Sequence, residues 1–413
     1  MTKTSRSIEE RNNVFIRSIR LRNLLSFGPD SEEIELQPLN VLIGPNASGK
    51  SNFIAAISLL KAAPRDLLGT LRQMGGLENL VWKGDKARDG IRVQASVSYP
   101  RGDSDLRYAL RFEPLLTDPE WWDESVAEAE AANDRDHGHS FYWRSVDEAH
   151  IRIRTDDKSP LGSAAGRGEK VLSPSDFSGR QSILCQRRDP DAYPEITYLA
   201  EELKEIRIFS EWRLGPQSPA RMPQRTDLPG DFLLEDASNL ARMIDSFRFK
   251  KGLREDIHKH LGKFADHMNE VTTKMDFGTA SVYIQEWDGR MIPATQLSDG
   301  TLRYLCLLVI LCHPEPPPLI CIEEPELDLH PDIIGEIADL LVEASKRTQL
   351  IVTTHSEILV SALSETPESI LVCEQDAGGT KMRRLSLDKL KEWLKEYSLG
   401  DLWAMGEIGG SRW

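Results

Sequence analysis

The sequence predicts an α/β protein with a mixed or parallel sheet core, an antiparallel β lobe, and a helical and loop-rich insertion. Three observations predict it. Leu39-Asn-Val-Leu-Ile43, Leu319-Ile-Cys-Ile322 and Gln349-Leu-Ile-Val-Thr-Thr-His355 are short runs with the composition of strands buried on both faces. Helical spacing of apolar residues returns after the first two, over Asn52–Lys61 and Asp332–Lys346. Near the N-terminus, by contrast, Val14-Phe-Ile-Arg-Ser-Ile-Arg-Leu21 and Glu33-Ile-Glu-Leu36 alternate as half-buried strands do.

The alternation resumes at Ile91–Tyr99 and Leu106–Phe112 across a Pro-Arg-Gly-Asp turn, which places an antiparallel layer beside the first buried strand. Residues 14–114 therefore read as a first lobe. From Thr117 the texture changes: Asp118–Asp136 is acidic and expected to be helical in part, and residues 155–192 are rich in Ser, Gly, Pro, Arg and Asp. Residues 115–195 read as an insertion with long loops. A second lobe spans 196–375, with a helical stretch over Ser238–Asn269 and a hairpin turn at Asp288-Gly289. Residues 376–413 read as a charged helix, Leu387–Tyr397, and a glycine-rich tail. Trp403, Ile408 and Trp413 in that tail suggest docking, on its own core or on a partner.

Composition narrows the class. With 413 residues, 40% apolar and 28% charged, the chain can bury two or three domain cores. No apolar run is long enough to span a bilayer, and the first residues carry no apolar signal segment, so the expected setting is cytoplasmic, without membrane. Five scattered cysteines without a C-x-x-C pair speak against structural zinc or a disulfide framework. A net charge of −15 excludes nucleic-acid binding over the whole surface. Nucleic-acid contact stays possible only at local patches, such as Arg248, Lys250, Lys251 and Arg254, or Arg180, Arg187 and Arg188.

The first chemistry lies at Gly44-Pro-Asn-Ala-Ser-Gly-Lys-Ser51, which reads G-x-x-x-x-G-K-S between a strand and a helix. Gly44 and Gly49 permit backbone angles that aim successive N–H groups at phosphate oxygens, and the helix N-terminus adds partial positive charge. Lys50 is expected to reach the β- and γ-phosphates, and the Ser51 hydroxyl to ligate Mg²⁺. Pro45, Asn46, Ala47, Ser48 and Asn52 complete the predicted nucleotide contacts.

The second block of chemistry begins at Leu297-Ser-Asp-Gly-Thr301, ahead of a long apolar helix, Leu302–Cys312. Next, Leu319–Ile322 ends in Glu323-Glu324-Pro325-Glu326, an apolar strand ending in acids, which is the Walker B arrangement. Adjacent carboxylates on an extended chain point to opposite faces, so one can serve Mg²⁺ while its neighbour polarises the attacking water. His355 stands at the C-terminal end of its strand, where ligand chemistry gathers in parallel sheets.

In this order the motifs resemble an ABC-type ATPase. Within that group they are similar to the SMC/RecF/OLD branch, as an OLD-like AAA family ATPase lacking a Toprim domain, of the kind found in bacterial defence. The opening Ile19-Arg-Leu-Arg-Asn-Leu-Leu-Ser-Phe27, the Glu-Glu-Pro-Glu run with Leu329-His-Pro331, and Thr353-Thr-His-Ser356 carry the resemblance. It implies ATP and Mg²⁺ sandwiched in a homodimer or higher oligomer, with Gly44–Ser51 of one subunit facing Ser298 and Gly300 of the other. It also implies Glu323 on the metal side, Glu324 as general base, His355 sensing the γ-phosphate, and a metal-supporting glutamine at Gln73 or Gln94. Three residues depart from the usual pattern: Glu323 for Asp, Asp299 for the first signature Gly, and His330 for the Asp of the D-loop.

The function implied is an ATPase that dimerises on ATP and controls a separately encoded effector, such as a nuclease, in anti-phage defence. Ile370-Leu-Val-Cys-Glu374 is similar to the start of a Toprim nuclease strand, but no D-x-D follows it, and it reads as the last strand of the ATPase sheet. Two other readings stay open: a DNA-repair ATPase of RecF type, and a nucleotide-gated scaffold with little turnover.

Overall fold

The protein, seen here as a computed structural model, is described over residues 13–84, 90–113, 122–130, 139–145, 148–154, 164, 167–173, 176–210, 212–247, 250 and 252–410. The chain opens with β1 (Ile16–Arg22), β2 (Ile34–Glu35) and β3 (Leu39–Ile43), then α1 (Lys50–Ala62), α2 (Leu67–Gln73) and α3 (Leu77–Leu80). Six strands follow, β4 (Ile91–Val97), β5 (Leu106–Phe112), β6 (Trp122–Glu128), β7 (Ser140–Arg144), β8 (Ala149–Ile153) and β9 (Gly168–Leu172). After α4 (Ile183–Gln186) and α5 (Pro194–Glu205) come β10 (Arg207–Phe209) and β11 (Gln224–Arg225), then α6 (Leu240–Phe247) and α7 (Leu253–Phe264). A small sheet of β12 (Met268–Asp276), β13 (Thr279–Glu286) and β14 (Met291–Pro293) precedes α8 (Asp299–Leu311). The last part runs β15 (Leu319–Glu323), α9 (Pro331–Ala344), β16 (Gln349–Thr353), α10 (Glu357–Ala362), β17 (Ile370–Asp376), β18 (Gly379–Arg384), α11 (Leu387–Leu390) and α12 (Leu399–Ala404).

The central sheet has the order β10-β15-β16-β3-β17-β18, with the first five strands parallel and β18 antiparallel at the edge. Its apolar runs divide between two cores with the two-residue period of a strand. Val41, Ile43, Ile320, Ile322, Leu350 and Val352 face the core shared with α6, α8 and α9. Leu42, Leu319, Cys321 and Ile351 face the core shared with α1 and the antiparallel lobe. Burial on both faces explains why these strands do not alternate in sequence. Cys306, Cys321 and Cys373 are buried free thiols, as core packing would have them.

The antiparallel sheet, β2-β1-β4-β5-β6-β7-β8-β9, is larger than expected, because the insertion supplies β6 to β9. The helical expectation for Asp118–Asp136 is corrected over 122–128: Trp122, Glu124 and Val126 alternate into the core, and β6 pairs with β5 from Trp122 to Glu128. Edge pairing of β5 outweighs the helix propensity of an acidic run. Ala129 and Glu130 form a turn after β6, while residues 118–121 and 131–136 of that run lie outside the described residues, as do Arg248, Lys251 and Trp413.

Three further expectations are corrected. The helix read over Ser238–Asn269 is broken, with α7 starting after Gly252 at φ +91 and β12 starting at Met268. The charged helix Leu387–Tyr397 shrinks to α11 and a 3₁₀ turn at Trp393–Lys395, since neither segment buries a side chain that would hold it. Finally, β17 is not the last strand of its sheet: the hairpin returns through Gly379 (φ +109) and β18 forms the edge.

Candidate nucleotide site

The parallel register brings the predicted residues to one edge. Leu42 is level with Thr353, and Thr353 with Glu323, so Gly44, Glu324 and His355 all leave the C-terminal ends of adjacent strands β3, β15 and β16. In open α/β sheets this edge is where ligands bind.

The loop from Gly44 to Gly49 is built as an anion cradle. Gly44, Ala47 and Gly49 have φ of +150°, +65° and +104°. A Cβ on Gly44 would lie 2.3 Å from the Cys373 carbonyl, and one on Gly49 2.3 Å from Thr380 Oγ1, so both positions require glycine. Lys50 Nζ donates to the carbonyls of Gly44 (2.7 Å) and Pro45 (3.0 Å). Burial pushes its ammonium below the usual lysine value, opposed by negative groups that include Glu324 and Glu323. Ser51 is exposed in the first turn of α1.

Residues that the motif does not contain support the loop. The Thr380 hydroxyl bridges Ser26 Oγ (2.7 Å) and the Ser48 carbonyl (3.0 Å), while Asn52 Nδ2 donates to Ser26 Oγ at 2.8 Å. Sequence reasoning missed Ser26 and Thr380. Both act through the hairpin β17–β18 and the β1–β2 connection, which only the fold brings under the loop.

The acids do not follow the extended geometry expected of them. Glu323 ends β15, but Glu324 turns left-handed at φ +46°, an uncommon conformation for a residue with a side chain. The turn has a cause: Glu324 N–H donates to the Thr353 carbonyl at 3.0 Å, and Leu327 N–H returns to the Glu324 carbonyl at 3.1 Å. Glu324 Oε1 then stands 3.9 Å from His355 Nε2, with both side chains partly open to solvent. Glu326, which had no assigned role, accepts from the Thr354 hydroxyl and from His355 N–H on one oxygen. Burial pushes its carboxyl above the usual range.

Ser298 and Gly300 stand elsewhere. Ser298 caps α8, its Oγ accepting from Thr301 N–H at 3.1 Å, and a Cβ on Gly300 would meet the Asp328 carbonyl at 2.4 Å. The signature turn thus packs on the loop after Glu326, not on the phosphate cradle. Asp299 pairs with Arg221, whose guanidinium also donates to the carbonyls of Leu214 (2.7 Å), Ala294 (3.0 Å) and Leu297. His330 caps α9 through Nδ1, which accepts from Asp332 N–H at 3.4 Å.

Gln73 ends α2, and Gln94 sits inside β4 opposite Arg20. Neither belongs to the edge that carries Glu323. There the neighbour is β10, where Phe209 is level with Ile322 and the chain leaves through Ser210.

A family profile described as "AAA domain, putative AbiEii toxin, Type IV TA system" matches residues 39–361. The chain belongs to this family. The match spans the phosphate loop, the insertion, Ser298–Thr301, the acids and His355. The Old nuclease of Escherichia phage P2 is 40% identical over 81 residues, a stretch that is 19% of this chain and 14% of that relative. Two solved structures share the fold over nearly their whole length. One is the SmcHead bound to the C-winged helix domain of ScpA (TM-score 0.57, 16% identity, 91% of this chain and 99% of that chain). The other is the Smc head domain with an extended coiled coil, bound to the C-terminal domain of ScpA and derived from Pyrococcus furiosus (TM-score 0.53, 15% identity, 92% and 99%). This family member is therefore an SMC/OLD-like ABC-type ATPase in fold. Among its described residues no helix is long and apolar enough to cross a membrane.

Proposed function

We propose that the chain binds Mg-ATP at the cradle and hydrolyses it, with Glu324 as general base and His355 beside it. The observation that carries this is the Glu324–His355 pair, 3.9 Å apart and hung from the adjacent strands β15 and β16, the second of which pairs with the strand that feeds the cradle. The donor set fits the absent groups. Glycine backbone and Lys50 suit a triphosphate, and the hard oxygens of Ser51 and Glu323 suit a cation that keeps most of its waters. When bound, the cation would neutralise phosphate charge. Glu324 would take a proton from the attacking water, while Lys50 would leave its carbonyl partners for phosphate oxygens.

The site is expected to be completed by a second copy, whose Ser298 and Gly300 face the triphosphate. Leu327 and Ile358, next to the catalytic turns, are 48% and 43% exposed, which suits an interface on this edge. ATP binding would then drive assembly, and turnover would release it. The toxin–antitoxin description of the family and the phage origin of the Old nuclease support a setting in phage–host conflict, with a separate effector as the output. Direct DNA binding is the weaker reading. Arg187 and Arg188 already donate to the carbonyls of Asp176 and Pro64, and Arg254 pairs with Glu270.

The test is phosphate release, together with solution mass at each nucleotide state. Glu324→Gln is expected to lower turnover by about a hundredfold or more, to retain ATP and to accumulate a dimer. Normal turnover in that variant would remove Glu324 from the base role. A wild-type dimer that forms on ATP with no phosphate release would instead favour the scaffold reading.

A further inference from the structure

The segment that follows β18 closes back on the phosphate loop. α12 lies flush on α10, the helix that starts two residues after His355: a Cβ on Gly400 would fall 2.4 Å from the Glu357 carbonyl, and Ser398 Oγ meets Ser361 Oγ at 3.0 Å. The chain then turns through Gly409 and Gly410, at φ +75° and +67°. Side chains hold three backbone groups of this turn. Arg383 donates to the Ile408 carbonyl (2.9 Å), Trp403 Nε1 to the Gly410 carbonyl (3.0 Å), and Gly410 N–H to Glu374 Oε1 (3.0 Å). Val372 is level with Ile43 in the sheet, so Glu374 stands beside the phosphate loop. A Cβ on Gly410 would lie 2.8 Å from Val372 Cγ1 and 3.4 Å from the Cα of Gly44 itself.

We propose that the Ile408–Gly410 turn is a positioning element of the nucleotide site, bracing the first glycine of the phosphate loop and tying it to α10, the helix that follows His355. Two physical consequences follow. The turn backs Gly44, so the cradle is held in its binding shape before nucleotide arrives. It also occupies Glu374 with an N–H donor, drawing that carboxylate away from a site meant for phosphate. The proposal rests on the nucleotide reading above, and goes beyond it in adding residues that lie outside every motif.

The test is a fluorescent-ATP (mant-ATP) titration of the full chain, with thermal melting as the folding control. Trp403→Phe keeps an aromatic ring, though a smaller one, and loses the N–H, and Glu374→Ala loses the acceptor. Each is expected to weaken mant-ATP by about threefold to tenfold, as one lost hydrogen bond would. Glu374→Gln, which keeps an acceptor oxygen, should recover most of the affinity, and Met405→Ala, half-exposed at the C-terminal cap of α12, should change nothing. Binding is reciprocal, so mant-ATP should slow hydrogen exchange over residues 406–410, which a purely structural turn would not show. Affinities within about twofold of wild type in both variants, with exchange unmoved, would overturn the proposal. A wild type that fails to bind mant-ATP would instead overturn the nucleotide reading on which it stands.

Discussion

His355 N–H donates to Glu326 Oε1 at 3.0 Å, and the same carboxylate oxygen accepts the Thr354 hydroxyl. With Glu324 N–H on the Thr353 carbonyl, these bonds bolt the acid turn to the end of β16. The 3.9 Å spacing of Glu324 and His355 follows from them more than from either side chain's own preference. Glu326→Ala is expected to lower turnover by about tenfold to a hundredfold, because misplacement by a fraction of an ångström at reacting groups costs that much. Nucleotide affinity should stay near wild type, since Glu326 touches no cradle residue in the described contacts. Steady-state rates beside equilibrium binding would separate the two.

Gly49→Ala tests the cradle. The added methyl meets Thr380 Oγ1 and must sit at φ +104°, so the Thr380–Ser26–Ser48 support has to move. The expected outcome is a loss of about 1–3 kcal/mol in stability and of measurable ATP binding, read by melting and calorimetric titration.

Arg221→Ala removes one guanidinium from Asp299 and three backbone carbonyls. Leaving the three carbonyls without their donor should cost about 3 kcal/mol, and the turn at Ser298–Thr301 should loosen. ATP-dependent dimerisation is expected to fall further than ATP binding by the single subunit. Arg221→Lys should not restore it, because an ammonium cannot reach four acceptors spread over a planar fork. Sedimentation with and without ATP would show it.

Glu124 sets a pH dependence. It lies fully buried in the antiparallel lobe, accepting from Tyr108 OH (2.7 Å), Ser182 Oγ and Ile183 N–H (3.0 Å). Burial pushes its carboxyl above the ordinary glutamate value, with those hydrogen bonds and Arg144 pulling the other way. The folded state therefore holds this proton more tightly than the unfolded chain. Its contribution to stability is full below the unfolded pKa and is lost as pH rises through the folded one. Glu124→Gln should flatten that decline relative to wild type in denaturation measured from acid to neutral pH. An identical slope in both proteins would exclude Glu124 as its source.

Much of the site was legible because its chemistry is local. A glycine-rich turn between strand and helix, and acids closing an apolar run, are patterns each contained in about eight consecutive residues, and short-range backbone physics is enough to read them. By itself the sequence determined the parallel core, Gly44–Ser51, Glu323–Glu324 and His355, since each depends on burial period and strand ends. It did not determine β6, where pairing to β5 overrode an acidic run, or the partners Ser26, Arg221 and Thr380, or the hold of Glu326 on His355. Nor could it say whether the glycine-rich tail docks on its own core or on a partner. Those depend on contacts between residues tens to hundreds of positions apart, and only chain packing selects among the many partners such polar groups could take.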